Sequence, residues 1–284
     1  MAVEIAPVNP GQVEELARIC YDAFKELSDR HGFATDFDTP AFAQMLLTSL
    51  VHDEDCYAVA ASADGKLAGS NYLTAHDEVG GIGPVSVDPQ VQGMGVGRAL
   101  MEDALKYARE NGIEQVRLMQ DSFNMMSLAL YASLGFDTKT PVAMMEPVGR
   151  EDPHVREATP GDLPAVEELS RRIYRVSRRN EVAHLFGSPF QPFVRERAGR
   201  ITGYFLLGIP GHGVAEAEED MVALVLHAAG RMPPQMARFF CPLTEGSLYR
   251  RFLAAGCRNR KVMNLMALGP YGEPDGVWLP SVAF

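Results

Sequence analysis

The sequence predicts a mixed α/β protein built from two similar units in tandem. Its 284 residues are enough for two domains of ordinary size. Strand-like and helix-like segments alternate along the first half of the chain. The pattern of residues 3–16 returns at residues 155–169, and that of residues 131–136 returns at residues 252–257. This repetition indicates an internal duplication.

The first half contains the elements of one complete unit. Apolar residues recur at helical spacing over residues 13–27, and Thr39-Pro40 opens a second helix that runs to Leu50, because proline suits the first helical turn. Asp64-Gly65 is a hairpin signature between two apolar strands. The predicted strands cover residues 3–5, 57–61, 67–74, 116–120 and 142–145, and two further helices cover residues 96–107 and 125–134.

A short segment separates the two units. It reads Pro-Val-Gly-Arg-Glu-Asp-Pro over residues 147–153, a composition typical of a linker. The predicted domains are therefore residues 1–147 and residues 153–284.

The most informative motif is a glycine-rich turn, Gln-Gly-Met-Gly-Val-Gly-Arg-Ala, at residues 92–99. It follows an apolar stretch at residues 83–89 and opens the amphipathic helix at residues 96–107. Glycines at alternate positions let several backbone N–H groups point into one concavity. The helix N-terminus adds partial positive charge, so the turn is suited to holding phosphates.

Three phosphate-binding motifs compete for this turn. A P-loop requires Gly-Lys-Ser/Thr, but Arg98 follows Gly97 here. A dinucleotide fingerprint requires G-x-G-x-x-G, whereas the spacing here is G-x-G-x-G, although Asp121 follows about where a ribose ligand would stand. The third pattern, Q-x-x-G-x-G/A, is matched by Gln92, Gly95 and Gly97.

The third pattern resembles the acyl-CoA pyrophosphate loop of the GNAT acyltransferase superfamily. A second segment supports the resemblance, because Asn124 is followed by Tyr131 seven residues later and then by Gly135-Phe136, as in a later helix of that family. The resemblance covers about residues 3–147. It implies two tandem GNAT-like domains, each a mixed, mostly antiparallel sheet flanked by helices, with the second domain degenerate.

The resemblance also implies an activity and a cofactor. The first domain is expected to move an acetyl group from acetyl-CoA to an amine by direct attack in a ternary complex, with Tyr131 as the general acid for the leaving thiolate. A backbone N–H near Val85 is the expected oxyanion donor. The alternative is a CoA-binding pseudoenzyme or scaffold without turnover. The expected cofactor-binding residues are Val85, Val87, Gln92, Gly93, Met94, Gly95, Val96, Gly97, Arg98, Ala99, Asn124 and Tyr131.

Two assignments stay open at this stage. Asn124 is expected to bond the cofactor or to cap the helix that it precedes. The family's base falls near Val79 here, where Glu78 is the candidate, with Asp77, His76 and a direct, water-mediated deprotonation as alternatives.

The second unit is predicted to have lost the chemistry. No glycine turn separates its strand from its helix, and residues 213–221 instead contain four acidic residues within five. Glu245 and Phe252 stand where the first unit has asparagine and tyrosine, and Tyr249 is offset by three residues. We therefore expect no CoA site there, and a role in shaping the acceptor cleft.

The C-terminal tail contains the only tryptophan of the chain, Trp278, together with Tyr271, Leu279 and Phe284. Such apolar residues must be buried if the tail is ordered. We expect the tail to dock on the first domain and wall the acceptor pocket, with packing on its own domain as the alternative.

Composition excludes several classes of function. No apolar run approaches 18 residues, so a soluble, cytoplasmic protein without membrane partners is expected. The four cysteines and seven histidines show no paired or metal-ligand spacing, so neither disulfides nor a metal is expected. Residues 1–150 have 10 basic and 22 acidic residues, a net charge of −12 that disfavours nucleic acid and favours a cationic amine, either a small molecule or a peptide. A monomer or homodimer is expected.

Overall fold

The computed structural model describes residues 2–207, 211–233 and 237–282. The strands are β1 (Val3–Pro7), β2 (Cys56–Ala63), β3 (Lys66–Thr74), β4 (Val79–Ile82), β5 (Ser86–Val87), β6 (Gln115–Asp121), β7 (Asp137–Glu146), β8 (Val155–Glu157), β9 (Phe193–Arg197), β10 (Arg200–Leu206), β11 (His212–Ala215), β12 (Phe239–Pro242), β13 (Arg258–Leu268) and β14 (Val277–Leu279). The α-helices are α1 (Val13–His31), α2 (Pro40–His52), α3 (Val96–Glu110), α4 (Met125–Ser133), α5 (Leu163–Leu169), α6 (Arg179–His184), α7 (Glu218–Ala229) and α8 (Gly246–Ala254).

Local sequence signals explain the first elements. Thr39 caps α2 by accepting from the backbone N–H of Phe42 at 3.1 Å. Helix α1 ends at His31, four residues beyond its predicted end. Gly32 caps it with a left-handed φ of 71°. Asp64 and Gly65 both adopt positive φ, as the predicted two-residue hairpin turn requires.

The predicted fold class is confirmed, because helices flank mixed sheets in which almost all strand pairs are antiparallel. The larger sheet has the order β1-β2-β3-β4-β6-β13-β7-β12, with β5 also paired to β3. Helices α1 and α2 pack on one face of its first half, and α3 and α4 pack on the other. The smaller sheet has the order β14-β11-β10-β9-β8.

The two halves exchange their last strands. Strand β13 of the second half lies between β6 and β7 of the first, and β7 in turn pairs with β12 of the second half. The duplicated openings match in detail, because β1 and β8 are each followed by a 3₁₀ turn that begins with a capping box, at Asn9 and at Thr159. The larger sheet therefore crosses the predicted domain boundary.

The tail packs mainly on its own half. Strand β14 pairs with β11 and places Trp278 opposite Val214. The predicted docking of the tail on the first domain is found in part, because the buried Trp278 belongs to an apolar cluster that also contains Val79, Val142 and Met144 of the first half. Tyr271 does reach the first half, where its ring centre lies 4.9 Å from the Arg117 guanidinium. Phe284 lies outside the described residues.

No helix among the described residues combines the length and the apolar character needed to cross a membrane.

Candidate active site

The glycine-rich turn forms an open helix N-terminus. Gly93 and Gly95 adopt left-handed φ values of 78° and 93°, which a residue with a Cβ rarely adopts. Gly95 is the N-cap of α3 and provides no side chain to cap its first N–H groups. The Gln92 amide holds the turn in place by donating to the carbonyl of Val87 at 3.1 Å. The turn can therefore present backbone donors to an anion.

The turn stands beside a cleft in the sheet. Strands β4 and β6 are parallel and paired only over residues 79–81 and 115–117. Beyond Ile82 the chain turns away to pair with β3 through β5, so the two strands separate. A cavity of about 600 Å³ occupies the gap.

Most of the predicted cofactor residues meet in this cavity. Its lining includes Val85, Val87, Gln92, Gly93, Gly95, Gly97, Arg98, Asn124 and Tyr131. The other three do not belong to the lining: Met94 is exposed to solvent, Val96 is buried in the core, and Ala99 follows Arg98 in the first turn of α3.

Two of these side chains already have protein partners. Arg98 donates to Ser133 at 2.6 Å and lies 3.4 Å from the Glu102 carboxylate, at the mouth of the cavity. Asn124 accepts from the backbone N–H of Ser127 at 3.2 Å, so it caps α4 while also lining the cavity. Both of its open roles are therefore compatible with the structure.

Tyr131 lies in the cavity wall with only 8% of its surface exposed. Burial raises the pKa of its hydroxyl, and the negative charge of Asp121 adds to this effect. The phenol is therefore held protonated, as a donor must be.

Glu78 lies elsewhere. Its carboxylate pairs with Arg171 at 2.8 Å, is half exposed, and belongs to the lining of neither described cavity. Glu78 immediately precedes β4 and faces Arg171 of the second half, so the structure does not bring this candidate base to the cavity. Asp77 also faces the second half, where it accepts from the backbone of Asn180 and Glu181.

The structure reveals a buried charged cluster that the sequence did not. Lys261 of β13 lies 2.5 Å from Asp121 and 2.7 Å from Asp36, with only 3% of its side chain exposed. Asp121 lines the cavity. Burial raises the pKa of the Asp121 carboxyl, and this effect, together with the charge of Asp36, outweighs the opposing effect of Lys261. The cluster joins residues more than 200 positions apart, so spacing could not reveal it.

The sequence analysis also did not predict a second cluster, which consists of Asp53, His76 and His184. Its ligand atoms lie within 4.8 Å of one another, a geometry that could hold a metal ion. His76 is already held between Asp53 at 3.3 Å and Asp55 at 3.1 Å. The expectation of no metal stays a prediction.

The corresponding cleft of the second half is filled by protein. Strand β14 pairs with β11 and contacts β12. Strand β14 thereby occupies the position that corresponds to the cavity beside β4. Acidic side chains surround the start of α7, where Glu218 pairs with Arg251 and Asp220 pairs with Arg195. Negative charge suits a helix N-terminus but opposes phosphate there.

We predict that Lys261→Met destabilises the protein by about 3–5 kcal/mol, because it leaves two carboxylates without their buried cation. Urea unfolding would measure the loss in the free energy of unfolding. Lys106→Met is the control, since Lys106 is exposed and its effect should stay within about 0.5 kcal/mol. Equal stability of Lys261→Met and the control would contradict the role given to the cluster.

Comparison with known proteins agrees with this geometry. Residues 14–136 match the sequence model described as "Acetyltransferase (GNAT) family". A mycothiol acetyltransferase of Saccharomonospora viridis is 34% identical over 145 residues, which cover 48% of this chain and 46% of that protein, less than half of its length. Another from Thermomonospora curvata is 42% identical over 77 residues, 27% of this chain and 26% of that one.

Two solved structures share the fold over nearly the whole chain. A putative acetyltransferase from Pyrococcus horikoshii superposes with a TM-score of 0.77 at 17% identity, over 99% of this chain and 95% of that one. A GCN5-related N-acetyltransferase from Sphaerobacter thermophilus gives 0.61 at 16% identity, over 96% and 97% of the two chains. Residues 14–136 thus match the GNAT acetyltransferase family model, and the whole chain shares its fold with these two acetyltransferase structures.

Proposed function

We propose that this protein is an acetyl-CoA-dependent N-acetyltransferase with one active site, in the cavity between β4 and β6. The observation that carries the proposal is the open, glycine-lined N-terminus of α3 at a cavity whose wall also contains Tyr131 and Asp121. A turn suited to anions, a phenol and a carboxylate border one space, which supports the proposal.

The cavity suits acetyl-CoA in shape and in chemistry. The backbone N–H groups of the turn at residues 92–99 would hold the pyrophosphate, with Arg98 adding charge at the mouth. The gap between the separated strands would hold the pantetheine arm beside Val85 and Val87. When bound, acetyl-CoA supplies an activated acetyl thioester.

The protein's own groups would then handle two protons and one developing charge. The Asp121 carboxylate accepts the proton that the acceptor ammonium must lose before its nitrogen attacks the carbonyl carbon. The Val85 N–H donates to the carbonyl oxygen as it gains negative charge. Tyr131 donates toward the sulfur as the carbon–sulfur bond breaks. Because its pKa is raised, hydrogen bonding to the departing thiolate contributes more than complete proton transfer.

The second half would serve this site rather than duplicate it. Strand β14 fills the equivalent cleft, and β13 supplies Lys261 beside Asp121. Release of free thiol from acetyl-CoA in the presence of amines tests the proposal. CoA binding without thiol release for any amine would instead support the scaffold alternative.

We predict that Gly95→Asp weakens CoA binding by at least about 100-fold, because it puts a carboxylate beside the pyrophosphate site. Calorimetric titration would measure the dissociation constant. Gly112→Asp is a matched control, since Gly112 lies near the opposite end of α3 with a similar positive φ of 71° and open space around it. Equal loss in both variants would mean that strain, not the binding site, is responsible.

We predict that Tyr131→Phe lowers kcat by about 10²-fold, at the lower end of the usual range for general acids, and leaves CoA affinity near that of the wild type. Stopped-assay thiol release and calorimetry would separate the two quantities. Tyr107→Phe is the control, since Tyr107 belongs to α3 and does not line the cavity. An unchanged kcat in Tyr131→Phe would leave this tyrosine with a packing role only.

We predict that kcat/KM rises with pH through the raised pKa of Asp121, above the ordinary carboxyl value of about 4, because only the carboxylate can accept a proton. Asp121→Asn should lack this acidic limb and be slower by about 10²–10⁴-fold. Asp137→Asn, an exposed site, should keep both the limb and the rate. An unaltered limb in Asp121→Asn would exclude Asp121 as the base.

A further inference from the structure

A second, smaller cavity adjoins the proposed active site. Its volume is about 190 Å³, and we call it the acceptor chamber. The two cavities share six lining residues, which form the doorway between them: Phe24, Ile82, Gly83, Pro84, Met119 and Met263. A molecule in the chamber therefore reaches the cleft between β4 and β6 through this doorway.

The chamber is lined mainly by apolar side chains. Phe37, Phe42, Leu46 and Leu50 come from α2 and the segment before it, and Phe240 comes from the second half. An apolar cavity of about 150 Å³ is large enough to bind benzene, so this chamber can hold a group of that size. A polyhydroxylated group would lose its hydrogen bonds to water there without gaining enough partners.

The charged cluster borders both cavities. Asp36 lines the chamber and Asp121 lines the larger cavity, and Lys261 bridges the two carboxylates. Arg238 also borders the chamber, where it donates to the Asp36 carbonyl at 2.9 Å and lies 3.4 Å from Asp38. Three carboxylates and two cations leave one negative charge, which an ammonium group would neutralise.

We propose that the acceptor is a primary amine carried on an apolar group about the size of one aromatic ring, which occupies the chamber while the ammonium meets Asp121 and Asp36. This inference rests on the proposed function. The inference deepens the proposed function by assigning a substrate class. The class follows from the chamber and the cluster, both of which include residues of the second half.

A long acyl chain of an acyl-CoA could also fill the chamber, entering it from the larger cavity. Such a chain could pass the apolar doorway, but it would offer no positive charge to the Asp36 carboxylate that lines the chamber or to the Asp121 carboxylate that lines the larger cavity. An amine on an apolar group matches both the net negative charge of the cluster and the apolar interior. The geometry therefore favours the acceptor.

Leu46 and Met45 provide a matched pair of variants on α2. Leu46 lines the chamber and belongs to neither the glycine turn nor the cluster, whereas Met45 points outward and is 51% exposed. Leu46→Trp should fill the chamber, and Met45→Trp should add the same side chain outside it. Leu46→Ala, which enlarges the chamber, keeps the test informative if Leu46→Trp does not fold.

The measurement is thiol release from acetyl-CoA with 2-phenylethylamine, ethylamine and glucosamine, and from hexanoyl-CoA with ethylamine. In the wild type, kcat/KM for 2-phenylethylamine should exceed that for ethylamine by about 10–100-fold, the value of burying one ring. Leu46→Trp should abolish this advantage and spare ethylamine, and Met45→Trp should preserve it. Leu46→Ala should shift the preference toward 2-(1-naphthyl)ethylamine.

Each other outcome overturns a distinct claim. A preference for glucosamine, or an advantage of 2-phenylethylamine that survives in Leu46→Trp, would overturn the substrate class while leaving the acetyltransferase in place. A preference for hexanoyl-CoA that Leu46→Trp removes would assign the chamber to the acyl chain. Absence of thiol release with every amine would overturn the proposed function itself.

Discussion

The pairing of β13 between β6 and β7 is the interaction on which the active-site arrangement depends. Its register places Met263 opposite Asp121, and because residues two apart share one face of a strand, Lys261 lies on the same side as Met263. The lysine is thus buried between two carboxylates of the first half. Without Lys261, Asp121 would keep its burial and lose its cation, which is the costly case for a buried charge.

The duplicated halves contain two corresponding clefts, of which one is open and the other is filled by protein. Beside β4 the strands separate and leave a cavity next to an uncapped helix N-terminus, whereas beside β11 the tail strand β14 pairs with the backbone and buries Trp278. Arginines neutralise the acidic side chains at the start of α7. The second half thereby stabilises itself without a ligand and can provide β13 and Phe240 as fixed walls for the first.

Features with local causes could be predicted from the sequence, and features with distant causes could not. The glycine turn, the capping of α2 by Thr39 and the hairpin at Asp64-Gly65 each depend on a few consecutive residues. The cluster of Asp36, Asp121 and Lys261 depends on the strand exchange, which no short pattern encodes. Glu78 illustrates the same limit, because its partner Arg171 belongs to the other half. For Trp278 the need for burial was correct, whereas the pairing of its strand with β11 of its own half could not be read from the sequence.

The central claim is that only one of the two duplicated clefts is a cofactor site and that both halves build it. Calorimetric titration of the whole chain with CoA tests it most directly. One equivalent bound per chain is the result that this account predicts, since β14 occupies the second cleft. Two equivalents per chain would contradict it, because they would require the tail strand to leave β11 or a site that the fold does not provide.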